Sequence, residues 1–202
     1  ATDYGWNQQG LAGAEAAAAA IGAELIPADG SGYDDPAPIL AQLKEDGAQF
    51  IIAQASGYTT TASQFARDNA IPTIVWDQPD QTTPGLVANF ETNSQEGGYL
   101  AGVLAALSTK TGTLGIVISA DDLNWHKQSG GFIAAAKSVN PDLKFLWAQI
   151  GPAGYGDAAG GKTTTETVIA GGADIIFGMG DGSSFGMLQA VGLSQHVARA
   201  LE

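Results

Sequence analysis

The chain has 202 residues, no cysteine and a net charge of −13 from 21 acidic and 8 basic residues. The missing cysteine excludes disulfides, thiolate zinc sites and thiol catalysis, and the lack of any basic run excludes the clustered Lys and Arg that nucleic acid or an anionic membrane surface requires. With 45% hydrophobic and 14% charged residues the composition is globular, and no stretch approaches the roughly eighteen apolar residues of a membrane span.

The predicted elements alternate along the chain. Ala12 to Ala23 has the apolar character of a signal-peptide core. It carries Glu15 and has no basic flank, so it reads instead as part of an Ala-rich helix over Gln8–Ile21. A short strand is expected at Ala23–Pro27 and a helix over Pro36–Asp46, with proline in its first turn. The β-branched run Gln49–Gln54 predicts a strand, Thr60–Asn69 a helix, and Pro72–Trp76 and Leu86–Phe90 further strands. Ser94–Leu107 reads as a helix capped at Asn93 or Ser94, with Glu96 in its first turn. Strands at Leu114–Ser119, Leu143–Ile150 and Asp174–Gly178 then alternate with helices at Gln128–Ser138, Lys162–Ala170 and Ser184–Val191. Short connections between strands and helices imply an α/β fold of parallel sheets covered by helices.

An internal repeat organises this pattern. Asp3-Tyr4-Gly5-Trp6-Asn7-Gln8-Gln9 and Asp122-Leu123-Asn124-Trp125-His126-Lys127-Gln128 both read D-x-x-W-x-x-Q and both precede an Ala-rich helix. Gly47-Ala48-Gln49-Phe50-Ile51-Ile52 matches Gly172-Ala173-Asp174-Ile175-Ile176-Phe177, and Tyr33-Asp34-Asp35 matches Tyr155-Gly156-Asp157. The offsets are 119 residues (3 to 122), 122 (33 to 155) and 125 (47 to 172). Three matches in one order at nearly one offset predict two copies of one α/β lobe. We place the N-terminal lobe at residues 1–109, the C-terminal lobe at 110–191 and an atypical tail at 192–202. The first copy opens at its D-x-x-W loop without the strand that Thr113–Ile118 supplies to the second. The tail carries no following strand, so a shortened chain is expected.

In open parallel sheets ligands bind beyond the carboxyl ends of the strands. Tyr58, Asp77, Asp121, and Gly180, Asp181 and Ser183 all follow predicted strands, and Tyr155 lies in the loop after Leu143–Ile150. Trp6 and Trp125 stand at equivalent points of the two copies, where their faces would hold a flat ring, with Asp3, Asn7, Asp121 and Asp181 to bond its polar edges. Each tryptophan has the competing role of packing inside its own lobe.

Motifs for catalysis are thin. Gly156–Thr163 reads G-D-A-A-G-G-K-T and satisfies the P-loop pattern, but five residues separate it from its strand in a Gly- and Ala-rich chain, so a chance match is expected. Gly178-Met179-Gly180-Asp181-Gly182 departs from a dinucleotide loop in its glycine spacing and puts a carboxylate where pyrophosphate would lie. The two histidines, His126 and His196, form no triad order or metal spacing, and Asp34-Asp35 reads as a capping or solvated pair. Binding rather than catalysis is expected, with no cofactor and no metal.

Several segments carry a family resemblance. Glu96-Gly97-Gly98-Tyr99-Leu100-Ala101-Gly102 resembles an E-x-x-Y-L-A-G helix. Lys110-Thr111-Gly112 with Gly115-Ile116-Val117, and Gly131-Phe132 leading to Asn140-Pro141, continue that pattern. Gly172–Phe177 resembles a G-A-D-V-I-F strand, and Trp6-Asn7 an aromatic–Asn ligand loop. Together these resemble the basic membrane protein family, substrate-binding lipoproteins of ABC transporters that include purine nucleoside receptors. The resemblance implies a type I periplasmic binding protein-like fold of two lobes closing on a ligand. It further implies a nucleoside ligand, first of all a purine one, an ABC transporter permease as partner, and an extracytoplasmic location with a lipid anchor outside this chain. A sugar or other small polar ligand is the alternative, and a doubly wound enzyme a more distant one. Ala134 and Ala135 depart from the family's usual spacing after Phe132, and Asp181 and Ser183 make its Gly-rich loop more polar.

Overall fold

The computed structural model of the chain describes residues 5–28, 30–32, 34–151 and 154–200, the last eight as backbone. Asp3 and Tyr33 therefore lie outside the described residues. The chain divides into two compact units, Ala1–Thr92 and Asn93–Glu202.

The first unit runs α1 (Trp6–Ile21), α2 (Ala37–Glu45), β1 (Ile51–Ile52), α3 (Thr59–Asn69), β2 (Thr73–Trp76) and β3 (Val87–Phe90). Its strands form a parallel sheet in the order β1-β2-β3, with Trp76 opposite Phe90 at the carboxyl end. The period-2 alternation of these strands sends Ile51, Ala53, Val75 and Val87 to one face, where Leu40 of α2 and Ala62 and Ala66 of α3 complete a core. Ile52 and Phe90 remain exposed on the other face.

The second unit runs α4 (Ser94–Ser108), β4 (Thr113–Ile118), α5 (Leu123–Val139), β5 (Lys144–Gln149), α6 (Ala158–Ala170), β6 (Ile175–Met179) and α7 (Ser183–Ala200). Its parallel sheet has the order β5-β4-β6. Central β4 is covered on both faces, as its near-continuous apolar run Leu114–Ile118 requires. Leu114, Ile116 and Ile118 point to a core shared with Ala105 of α4 and Phe132 and Ala136 of α5. Val117 points the other way, into a cluster with Val168 of α6 and Met187 of α7.

Glycines set the helix spacing in this unit. A Cβ on Gly98 or Gly102 of α4 would lie 2.9 Å from the carbonyl carbon of Gln128 or Phe132 on α5, and closer still to its oxygen. Gly131 of α5 stands in the same relation to Gln95 of α4. The E-x-x-Y-L-A-G and Gly131-Phe132 motifs are thus two sides of one close backbone approach.

The repeat appears in the structure as α1, α2, β1 and α3 matching α5, α6, β6 and α7. Its Gly-Ala dipeptide has a physical cause. Gly47 and Gly172 both take positive φ, 91° and 102°, just after a helix. The N–H groups of Ala48 and Ala173 reach back to the carbonyls of Leu43 and Val168, the six-to-one closure of a Schellman stop in both copies.

Two expectations need correction. Residues 23–27 form no strand. Their counterpart β5 pairs with β4, and no strand among the described residues of the first unit plays the part of β4, so the segment has no ladder to join. The strand expected over Gln49–Gln54 keeps only Ile51–Ile52 in the ladder. The two compact units divide at Thr92/Asn93, α4 packing through its glycines on α5 within the second, and α7 runs to Ala200.

A carboxylate clasps the turn that follows α4. Asp174 accepts hydrogen bonds from Thr109 Oγ1 (2.6 Å) and from the backbone N–H groups of Lys110 (2.6 Å) and Thr111 (3.0 Å). Burial alone would raise its pKa, but the bonds from Thr109, Lys110 and Thr111 outweigh it and hold the carboxyl below its ordinary value. A depressed folded-state pKa stabilises above the unfolded value of about 3.9 and is lost as pH falls through the folded one. Asp174→Asn should therefore destabilise the second unit at pH 7 by about 1 kcal/mol, a value kept small by solvent exposure. In pH-dependent urea melts the deficit should close below about pH 3.9, and a deficit constant from pH 7 to pH 2.5 would refute the charge argument.

Candidate functional site

In the first unit, aromatic side chains gather at the carboxyl end of the sheet. Trp6, in the first turn of α1, donates its indole N–H to the carbonyl of Gln54 (2.6 Å). Its ring meets Trp76 edge-on, with centroids 4.9 Å apart and planes at 73°, and Trp76 meets Phe90 in the same way at 4.6 Å and 68°. Trp76 and Phe90 were not among the sequence candidates; the signal was that each ends a predicted strand and precedes an acid. Trp6 thus presents only the part of its ring that these contacts leave. Asn7 beside it is exposed.

Asp77 follows β2 with its backbone in the left-handed region, φ 55°, and is 3% exposed. Aspartate is one of the few residues that tolerate this conformation, and such strain concentrates at ligand sites. The turn is held by Asp77 N–H to Phe90 O (3.1 Å) and Gln78 N–H to Asn89 Oδ1 (2.9 Å). Tyr58, in a 3-10 turn after β1, donates its hydroxyl to the Gly32 carbonyl, latching the loop before α2. Burial pushes its phenol pKa up; the Ser31 hydrogen bond opposes this and the charge of Asp34 adds to it.

In the second unit, the Asp121-Asp122 pair divides its work. Asp121 is open to solvent and lies 2.6 Å from His126 Nε2, and the His126 ring stacks on Trp147 at 6.5 Å and 17°. Asp122 caps α5, its Oδ1 accepting the Asn124 N–H at 2.8 Å, while its Oδ2 accepts the Tyr155 hydroxyl at 3.1 Å. Tyr155 tilts against Trp125, with centroids 6.3 Å apart and planes at 40°. Trp125 packs on the core that includes Ile118 and Met179, and its buried indole N–H meets no acceptor among the described residues. The loop from β6 to α7 presents half-buried Gly180 and Asp181, with Ser183 fully buried beneath them. It is closed by the Ser184 hydroxyl on Gly180 O and by Ser184 N–H to Asp181 O (3.1 Å).

The P-loop pattern has another explanation. Helix α6 already begins at Ala158, so Gly160, Gly161 and Lys162 are helical. The Asp157 carboxylate takes the Gly160 N–H at 2.8 Å, placing a negative charge where a phosphate would sit. Lys162 faces Glu166 one turn on, at 3.8 Å, and Gly161 lets α6 approach the backbone of Ser183.

Each unit therefore carries aromatic rings and carboxylates at the carboxyl ends of its strands. Residues 1–195 match the family model of PnrA-like ABC transporter substrate-binding proteins, Bmp. The chain belongs to this family. The ABC transporter nucleoside-binding protein BmpA of Lactococcus lactis is 33% identical over 117 residues, 58% of this chain and 31% of that protein. Among solved structures, an ABC transporter solute-binding protein from Aeropyrum pernix superposes with a TM-score of 0.78 at 21% identity, covering 98% of this chain and 56% of that one. The arabinose-binding protein AraP from Geobacillus stearothermophilus gives 0.68 at 22%, covering 92% and 65%. These likenesses establish the type I periplasmic binding protein fold. The chain matches about a third of the length of its curated relative. Among the described residues no helix is long and apolar enough to cross a membrane.

Proposed function

We propose that this family member is the extracytoplasmic solute-binding component of an ABC importer and takes a nucleoside, a purine nucleoside first, without chemical turnover. The observation that carries this reading is the family match over residues 1–195, within which aromatic rings and carboxylates fall at the carboxyl ends of the strands. Ring faces suit a base, worth roughly 1–3 kcal/mol per stacked base, and carboxylates suit ribose hydroxyls. Trp6, Asn7, Tyr58 and Asp77 of the first unit and Asp121, Trp125, Tyr155, Gly180 and Asp181 of the second are the proposed contacts. The partner is a membrane permease, and the full-length protein is held to the membrane by a lipid.

A sugar is the second reading, because carboxylates at strand ends serve any polyhydroxylated ring. Thermal melts with guanosine, adenosine, ribose and arabinose separate the two. A nucleoside at a hundredfold excess over its Kd should add about 2.7 kcal/mol of stability. A shift with pentoses alone would favour the sugar, and no shift with any nucleoside would remove the nucleoside reading.

A further inference from the structure

We propose that Asp122 is a positioning residue for ligand binding, holding the Tyr155 ring against Trp125 through the Tyr155 hydroxyl; the ligand part of this rests on the reading above. The Asp122 carboxylate is itself fixed. Its backbone is extended, at φ −135° and ψ 139°, and Oδ1 is committed to the Asn124 N–H at 2.8 Å as the cap of α5. With that oxygen held, the planar carboxylate directs Oδ2 at the Tyr155 hydroxyl, 3.1 Å away.

The other end of the tether is also fixed. Tyr155 lies in the 3-10 turn Gly154–Gly156. Gly154 is pressed so close to the β4 end that a Cβ there would meet the Ser119 carbonyl, and Asp157 just beyond is committed to capping α6. Between two capped helices, the phenol has its hydroxyl anchored and its ring tilted at 40° to Trp125, which is half-buried and packs against the core. A flat, aromatic ligand meeting this pair finds one ring already oriented. Ordering a side chain on binding weakens affinity, so a preset ring removes part of that cost.

Two substitutions cut the tether and leave the rest. Tyr155→Phe keeps the ring and loses the hydroxyl. Asp122→Ser keeps a side-chain oxygen for the helix cap and is too short to reach Tyr155. Measured by calorimetry with guanosine, each should weaken Kd about three- to tenfold, and the double variant should be no weaker than either single one. In the ligand-free protein, NMR of labelled tyrosine should show the Tyr155 ring restricted in the parent and averaged in Asp122→Ser. Parent-like affinity within about twofold for both variants, or effects that add in the double variant, would overturn the proposal. If the parent binds guanosine at no concentration, the nucleoside reading falls; the tether then stands or falls on the ring dynamics, and a Tyr155 ring equally restricted in Asp122→Ser refutes it.

Discussion

Gly102→Leu should destabilise the second unit by more than about 3 kcal/mol. Gly102 is buried on α4, and a Cβ there would sit 2.9 Å from the Phe132 carbonyl carbon and 3.0 Å from the Ala135 Cβ. The obstacle is largely helix backbone, which no rotamer change can move. A larger side chain must separate α4 from α5, stripping cover from Ala105 and Phe132 in the core below. A loss of that size in a unit of roughly a hundred residues lowers Tm by more than about 10 °C. Gly97, in the same motif, meets nothing within 4 Å and supplies the control. Gly97→Ala should stabilise by about 0.5–1 kcal/mol through helix propensity. Calorimetric melting of the two variants tests both signs; equal small losses would show that the motif glycines do not set the helix approach.

Phe132→Ala is expected to cost about 3–5 kcal/mol. Phe132 is 1% exposed, stacks on Phe177 at 4.6 Å and 2°, and meets Phe145 edge-on at 6.4 Å and 83°. One side chain thus joins α5 to both edge strands, β5 and β6. Removing it deletes two ring contacts and leaves a cavity that the close α4–α5 approach prevents from collapsing. Trp125 packs on the same cluster, so the proposed ligand face should loosen with it. Urea denaturation followed by tryptophan fluorescence gives the loss directly; a value under about 1 kcal/mol would mean that the aromatic stack carries little of the unit's stability.

Much of the fold was legible because periodicity and chain punctuation are local. The strand expected at Leu114–Ser119 forms as Thr113–Ile118, and the repeated Gly-Ala dipeptide proves to sit at two helix stops, a role that only the structure revealed. The segment 23–27 failed because a strand is a property of pairs. Its composition suited a ladder, and no neighbour among the described residues offered one. The P-loop pattern, expected to be a chance match, shows a related ambiguity. Glycines that allow a phosphate cradle equally allow helix approach, and only the start of α6 at Ala158 distinguishes the two.

The candidate site divides along the same line. The sequence by itself determined the parallel α/β class, the repeat, the family resemblance, and which aromatic and acidic residues follow strands, because each depends on residues near one another in the chain. Tertiary structure alone decided what those side chains are bonded to. Trp6 leans on Trp76 and gives its N–H to Gln54, Asp121 turns to His126, and Asp122 reaches across 33 residues to Tyr155. Such hydrogen bonds and ring contacts depend on distances of a few ångströms between elements remote in sequence, which no local pattern of residue types records.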